Sequence, residues 1–212
     1  MGSLDPRRLS VYVVTSTGFV PGRGHRDVAL AAIEGGATAI QLRAPELADP
    51  QLEQLATELE QACRAASVLF VVNDRVSVAA AVGAGAHVGQ DDDAATARLE
   101  LGAQHPLGVS VDTPEQARAA AAAGADYLGV TVWATPTKPE AIPRGLDGLR
   151  AVAEATPLPV VAIGGVNTGN AAEALGAGAA GVAVIAAVGA MPDMAEATRR
   201  LAEAVTRAWG PR

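Results

Sequence analysis

Short runs of β-branched and other apolar residues alternate with alanine-rich stretches along the whole chain. Residues 11–15, 38–43, 68–73, 86–89, 107–111, 127–131, 160–163 and 181–185 read as strands. Helices are expected between them, with a last one near residues 193–209. Several strands are continuously apolar, as in Leu69-Phe70-Val71-Val72. A strand buried on both faces has this pattern, and parallel sheets covered by helices are built from such strands. Eight strands, each followed by a helix, is the count of a closed (β/α)8 barrel. A doubly wound open sheet is the alternative and would use fewer strands.

A weak internal repeat favours the barrel. The pair Gly-Ala recurs at Gly36-Ala37, Gly85-Ala86, Gly124-Ala125 and Gly178-Ala179, at intervals of 49, 39 and 54 residues. If each interval holds two βα units, one unit takes about 24 residues, near what a barrel of this length requires. Glycine at these helix-to-strand changes suits a left-handed helix end. No linker or break in composition divides the 212 residues, so a single barrel domain over 1–212 is expected. Residues 134–144 carry three of the 13 prolines and no periodicity, and read as a long loop after the sixth strand. A loop of that length inside a domain is usually functional or disordered.

Composition narrows the function classes. Half of the residues are hydrophobic and 18% are charged, which excludes a disordered chain. With six aromatics and a net charge of −7, neither an aromatic platform nor a basic face for nucleic acid is expected. Charges and glycines interrupt every apolar stretch, so no membrane span is expected. Residues 1–5 lack the pattern of a signal peptide. The single cysteine, Cys63, fits a reducing, cytoplasmic setting.

Barrel enzymes carry their chemistry at the C-terminal ends of strands and in the following loops. Strand two ends in Gln41-Leu42-Arg43, where alternation puts Gln41 and Arg43 on the inner face. Arg43 can grip a phosphate with its planar fork, or leave the barrel and pair on the surface. Strand three ends in Asn73-Asp74-Arg75, and Asp74 is either a ligand or the N-cap of the next helix. Strand four runs into Gly89-Gln90-Asp91-Asp92-Asp93. Two carboxylates from these adjacent loops suit Mg²⁺, although acidic residues also favour helix starts. His87, within strand four, is a core or cavity-lining residue. The sixth loop offers Thr135-Pro136-Thr137-Lys138, two hydroxyls and an ammonium for a phosphate. Strand seven ends in Ile163-Gly164-Gly165, where backbone N–H groups can approach an anion.

Taken in order, these motifs resemble the thiamine-phosphate synthase family. The resemblance runs from about Val11 to Val188 and also includes His87-Val88-Gly89-Gln90-Asp91-Asp92, Gly108-Val109-Ser110 and Ala162-Ile163-Gly164-Gly165-Val166. It implies a (β/α)8 barrel and a transferase of the alkyl- or aryl-transferring type. Such an enzyme joins a hydroxymethylpyrimidine pyrophosphate to a hydroxyethylthiazole phosphate, giving thiamine phosphate and pyrophosphate. By the same resemblance, Asp74 and Asp92 hold Mg²⁺. Arg43, Asn73, Ser110 and Lys138 face the pyrophosphate, with Arg43, Ser110 and Lys138 as the catalytic set. Gln41 contacts the pyrimidine. Thr135, Thr137, Gly164, Gly165 and the Ala186 backbone serve the thiazole phosphate. The implied partners are these small molecules, with no nucleic acid and no membrane. A homodimer is compatible with the resemblance.

Three positions depart from the family pattern. Pro45 stands where a lysine is usual, Asp112 where a histidine is frequent, and Ala186 where a serine is found. Each change weakens anion binding or adds negative charge. They motivate a second reading as a non-catalytic binder of thiamine phosphate or thiazole phosphate. A third, the related thiazole tautomerase, is disfavoured: no histidine ends strand five, and the two aspartates are present.

Overall fold

Eight short apolar segments become eight parallel strands because both of their faces are covered. The computed structural model describes residues 4–135, 137 and 141–210. A 3-10 turn at Pro6–Leu9 precedes β1 (Val11–Val14). The strands that follow are β2 (Ala39–Leu42), β3 (Leu69–Asn73), β4 (Gly85–Val88), β5 (Leu107–Ser110), β6 (Tyr127–Thr131), β7 (Val160–Ile163) and β8 (Gly181–Val184). They pair in sequence order, and β8 returns to β1, closing the (β/α)8 barrel. The helices after β1 to β7 are α1 (His25–Glu34), α2 (Asp49–Ala65), α3 (Val76–Val82), α4 (Ala94–Leu101), α5 (Pro114–Ala122), α6 (Gly145–Glu154) and α7 (Ala171–Gly176). After β8 comes a short α8 (Ala186–Gly189) and then the long α9 (Met194–Trp209). The sequence pattern had suggested one helix after β8. The extra turn lies at the barrel mouth.

Local chemistry sets the helix starts. Thr113 accepts from the Gln116 N–H while Gln116 reaches back to the Thr113 N–H, and Pro114 opens α5. Asp93 and Asp193 each accept the N–H three residues on, capping α4 and α9. In α2, Leu52, Ala56, Leu59 and Cys63 are buried at helical spacing and face the barrel. Burial pushes the Cys63 thiol up to about 12.

Strand alternation divides the core in two. One cluster fills the layer between barrel and helices. The other fills the barrel and contains Tyr12, Val14, Ala39, Val71, Tyr127, Val161 and Ala183. The two tyrosines take most of that interior, and their neighbours are correspondingly small. A Cβ at Gly108 would stand 2.2 Å from Tyr127 Cζ and 2.4 Å from His87 Nδ1.

The repeat needs one correction. Gly36, Gly124 and Gly178 have positive φ just beyond α1, α5 and α7. Gly85 instead begins β4, and Gly83 ends α3 at φ 73°. Gly83-Ala84 is therefore the second member, and the repeat marks every other βα unit. Among the described residues, no helix is long and apolar enough to cross a membrane.

Candidate active site

The barrel opens at its C-terminal end into a cavity of about 400 Å³. Nine of the residues anticipated from sequence line it: Gln41, Arg43, Asn73, Ser110, Thr135, Thr137, Gly164, Gly165 and Ala186. All eight strands contribute residues to this lining. Lys138 and Pro136 lie outside the described residues.

Arg43 is the one charged side chain among the described lining residues. It is half-buried and has no ion-pair partner among the described residues, so it does not pair on the surface. A lone guanidinium in a concave, low-dielectric mouth attracts anions despite the chain's net negative charge.

Beneath it runs a hydrogen-bonded chain. Gln41 Nε2 donates to Tyr12 Oη at 2.9 Å, and Tyr12 Oη lies 2.9 Å from Tyr127 Oη. Tyr127 Oη is 3.2 Å from His87 Nδ1, and His87 Nε2 is 3.0 Å from Ser110 Oγ. Burial pushes both phenols above their ordinary range, so they stay neutral hydrogen-bonding groups. The sequence motifs did not point to Tyr12 or Tyr127. Their inward register in β1 and β6 is the signal that could have found them. His87 is confirmed as a lining residue.

On the opposite wall, Gly164 and Gly165 are consecutive left-handed residues with φ of 81° and 65°. A Cβ on either would come within 2.8 Å of Thr131, Trp133 or both. Only glycine permits this close turn over the end of β6. The N–H groups of Gly165 and Val166 find no acceptor among the described residues, and both residues line the cavity. Thr135 and Thr137 stand nearby with their hydroxyls 2.8 Å apart.

Asp74 and Asp92 lie outside the cavity lining, in the loops after the neighbouring strands β3 and β4. Asp74 is not the helix cap, since α3 starts after Arg75. It has a left-handed backbone at φ 62° and donates its N–H to His87 O in β4. Such a conformation is uncommon for a residue with a side chain and clusters at functional sites. Asp92 folds back so that its carboxylate accepts the Gly89 N–H at 2.7 Å. A Cβ at Gly89 would stand 3.1 Å from that carboxylate, so glycine leaves room for it. Asp93, in contrast, is committed to capping α4. Carboxylate oxygens such as these two are the donor type that hard cations take.

Asp112 adds no free charge to the mouth. Its carboxylate pairs with Arg144 at 2.8 Å. The concern raised by an acidic residue at that position is thereby reduced. Pro45 is exposed and does not line the cavity.

A closed parallel barrel with a cavity of mixed polar and apolar lining at its C-terminal mouth defines the class, since (β/α)8 enzymes carry their sites there. The chain matches the thiamine monophosphate synthase family over residues 11–188. It is 48% identical over 204 residues to a thiamine-phosphate synthase of Moorella thermoacetica, covering 94% of this chain and 97% of that one. A thiamine-phosphate synthase of Chloroflexus aurantiacus is 48% identical over 199 residues, covering 92% of each chain. The solved thiamine phosphate pyrophosphorylase from Pyrococcus furiosus matches with a TM-score of 0.88 at 38% identity, covering 97% of this chain and 99% of that chain. The chain belongs to the thiamine-phosphate synthase family and is an enzyme of the transferase type.

Proposed function

We propose that this enzyme joins a hydroxymethylpyrimidine pyrophosphate to a hydroxyethylthiazole phosphate. The bond from the pyrimidine methylene carbon to the pyrophosphate oxygen breaks, and the leaving group keeps the electron pair. The thiazole ring nitrogen then supplies the pair for the new carbon–nitrogen bond. The products are thiamine phosphate and pyrophosphate. The observation that carries this reading is Arg43, without an ion-pair partner among the described residues, in a cavity with no described carboxylate in its lining.

The electron-rich pyrimidine stabilises the developing methylene cation, so the protein's main task is to accommodate the leaving group. Arg43 grips the pyrophosphate, with Asn73 and Ser110 in the same lining, and the family resemblance adds Lys138 as a second cation. Gln41 orients the pyrimidine. Thr135, Thr137, the Gly164-Gly165 turn and the Ala186 backbone take the thiazole phosphate. Asp74 and Asp92 would hold Mg²⁺, which when bound neutralises charge on the pyrophosphate. The single, buried Cys63 supports a reducing, cytoplasmic setting for this activity.

An end-point assay with both phosphorylated substrates, with Mg²⁺ and with a chelator, tests the reading. Mg²⁺-dependent thiamine phosphate and pyrophosphate are expected. Folded protein that binds thiamine phosphate without forming it would make the chain a non-catalytic binder. Asp74→Ala should abolish Mg²⁺-dependent turnover while the fold persists, and an undiminished rate would remove Asp74 from the metal site. Lys138→Ala should lower kcat more than thiazole-phosphate affinity, because its stabilisation grows as the leaving group gains charge.

A further inference from the structure

Outside the cavity, three polar side chains link the end of a strand to an exposed loop. Thr15 follows β1 and is fully buried. Its N–H donates to Gln41 O at 2.8 Å, extending the β1–β2 ladder past the strand. The Arg43 N–H then donates to a side chain, Thr15 Oγ1, at 3.2 Å. The same hydroxyl lies 2.9 Å from Nδ1 of His25, the buried first residue of α1. His25 Nε2 lies 2.7 Å from Glu46 Oε1, in the loop three residues past Arg43.

The two ends of this run fix its direction. A backbone N–H can only donate and a carboxylate can only accept. With a neutral imidazole, the Thr15 hydroxyl therefore donates to Nδ1, and Nε2 carries the hydrogen that Glu46 accepts. Partial burial pushes the Glu46 carboxyl up, but the bond from His25 and other hydrogen bonds outweigh it and hold it below its ordinary range. A buried hydroxyl and a buried imidazole are costly unless paired, and apolar residues could fill the same space. The run therefore serves something beyond packing, and what it touches is the backbone of Arg43.

We propose that Thr15, His25 and Glu46 are positioning residues for Arg43. Arg43 stands one residue past β2, where the regular ladder has ended. Pro45 follows in the loop and has no N–H of its own to anchor it. The run replaces those missing ties and holds the guanidinium in the direction of the cavity. Such preorganisation reduces the cost of gripping an anion. This inference rests on the reading of Arg43 as the residue that grips pyrophosphate.

The test measures binding of inorganic pyrophosphate with Mg²⁺ by calorimetry, together with Tm. Thr15→Val keeps the shape and removes the hydroxyl, and should weaken binding about tenfold, the size of one lost hydrogen bond. Thr15→Ser keeps the hydroxyl and drops a methyl, and should melt lower yet bind within about twofold of the parent. Glu46→Ala, at a half-exposed position that folding tolerates, should weaken binding about threefold. Parent-like affinity in Thr15→Val, equal losses in Val and Ser, or no loss in Glu46→Ala would overturn the proposal. Arg43→Ala separates the two readings. If it binds pyrophosphate as the parent does, the role of Arg43 fails. If it loses affinity while Thr15→Val does not, the positioning run alone fails.

Discussion

Arg144, at the neck of the long loop that follows β6, pairs at 2.8 Å with Asp112 in the loop after β5. The neck is closed by the backbone. The Arg144 N–H donates to Thr131 O at 2.8 Å, and the Gly145 N–H donates to Val132 O at 3.0 Å. The loop carrying Thr135 and Thr137 thus leaves and re-enters the barrel at one place. Arg144 Nε is buried without a partner among the described residues, so the guanidinium depends on Asp112. Asp112→Ala should cost about 1–3 kcal/mol, because it strands a partly buried cation. Thermal unfolding measures that cost. Thiazole-phosphate affinity should fall with it, since the neck holds the two threonines. An unchanged Tm would mean that water replaces the carboxylate fully.

Gly108 makes room for the polar chain at the cavity floor. Alanine there would drive its Cβ into Tyr127 and His87. We expect Gly108→Ala to destabilise the protein by about 1–3 kcal/mol through overpacking. It should also lower kcat, because Ser110 is held by His87. Full activity with a lower Tm would detach the floor from catalysis.

Tyr127→Phe is the companion test. The Tyr127 hydroxyl joins Tyr12 to His87 in the barrel interior. Removing it takes a hydrogen bond from the buried Tyr12 hydroxyl, at about 1–3 kcal/mol. Chemical denaturation should report that loss, and the KM for the pyrimidine substrate should rise as Gln41 loses its ordered neighbour.

Glu46 predicts an acid dependence of stability. Its folded pKa lies below the unfolded value, so its contribution is present above the unfolded pKa, about 4.3. The contribution disappears as pH falls through the folded pKa. Glu46→Gln should flatten the stability profile below about pH 4.3. Parallel profiles for the two proteins would exclude the linkage.

Cys63 should be silent toward thiol reagents. It is buried in α2, and burial holds its thiol at about 12. The thiolate is the reactive form, so labelling should follow global unfolding and speed up with denaturant. Rapid labelling of native protein would show that α2 opens locally.

The barrel was legible because its signals are local. Continuous apolar strands demand cover on both faces, and their β-branched residues end where polar residues begin, as at Val72-Asn73. Every anticipated strand is present within a residue at either end. The strand-end rule also placed Gln41, Arg43, Asn73 and Ser110 at the mouth. The loop residues Thr135, Gly164 and Ala186 needed the family pattern as well, since isolated small residues carry little information. The Gly85-Ala86 assignment failed for a local reason: Gly83-Ala84 and Gly85-Ala86 are adjacent pairs, and composition alone does not say which one ends a helix.

By itself, then, the sequence determined the alternation of elements, the register of side chains within each strand, and the family to which the motifs belong. All three follow from near-neighbour chemistry and residue order. Only the tertiary structure decided which side chains satisfy one another. Closing the barrel brings Tyr12 to Tyr127 across 115 positions and leaves Arg43 in the cavity with no ion-pair partner among the described residues. It pairs Asp112 with Arg144 and joins Thr15, His25 and Glu46 behind Arg43. Such choices depend on distance, burial and competition among distant polar groups, and strand periodicity carries no record of them.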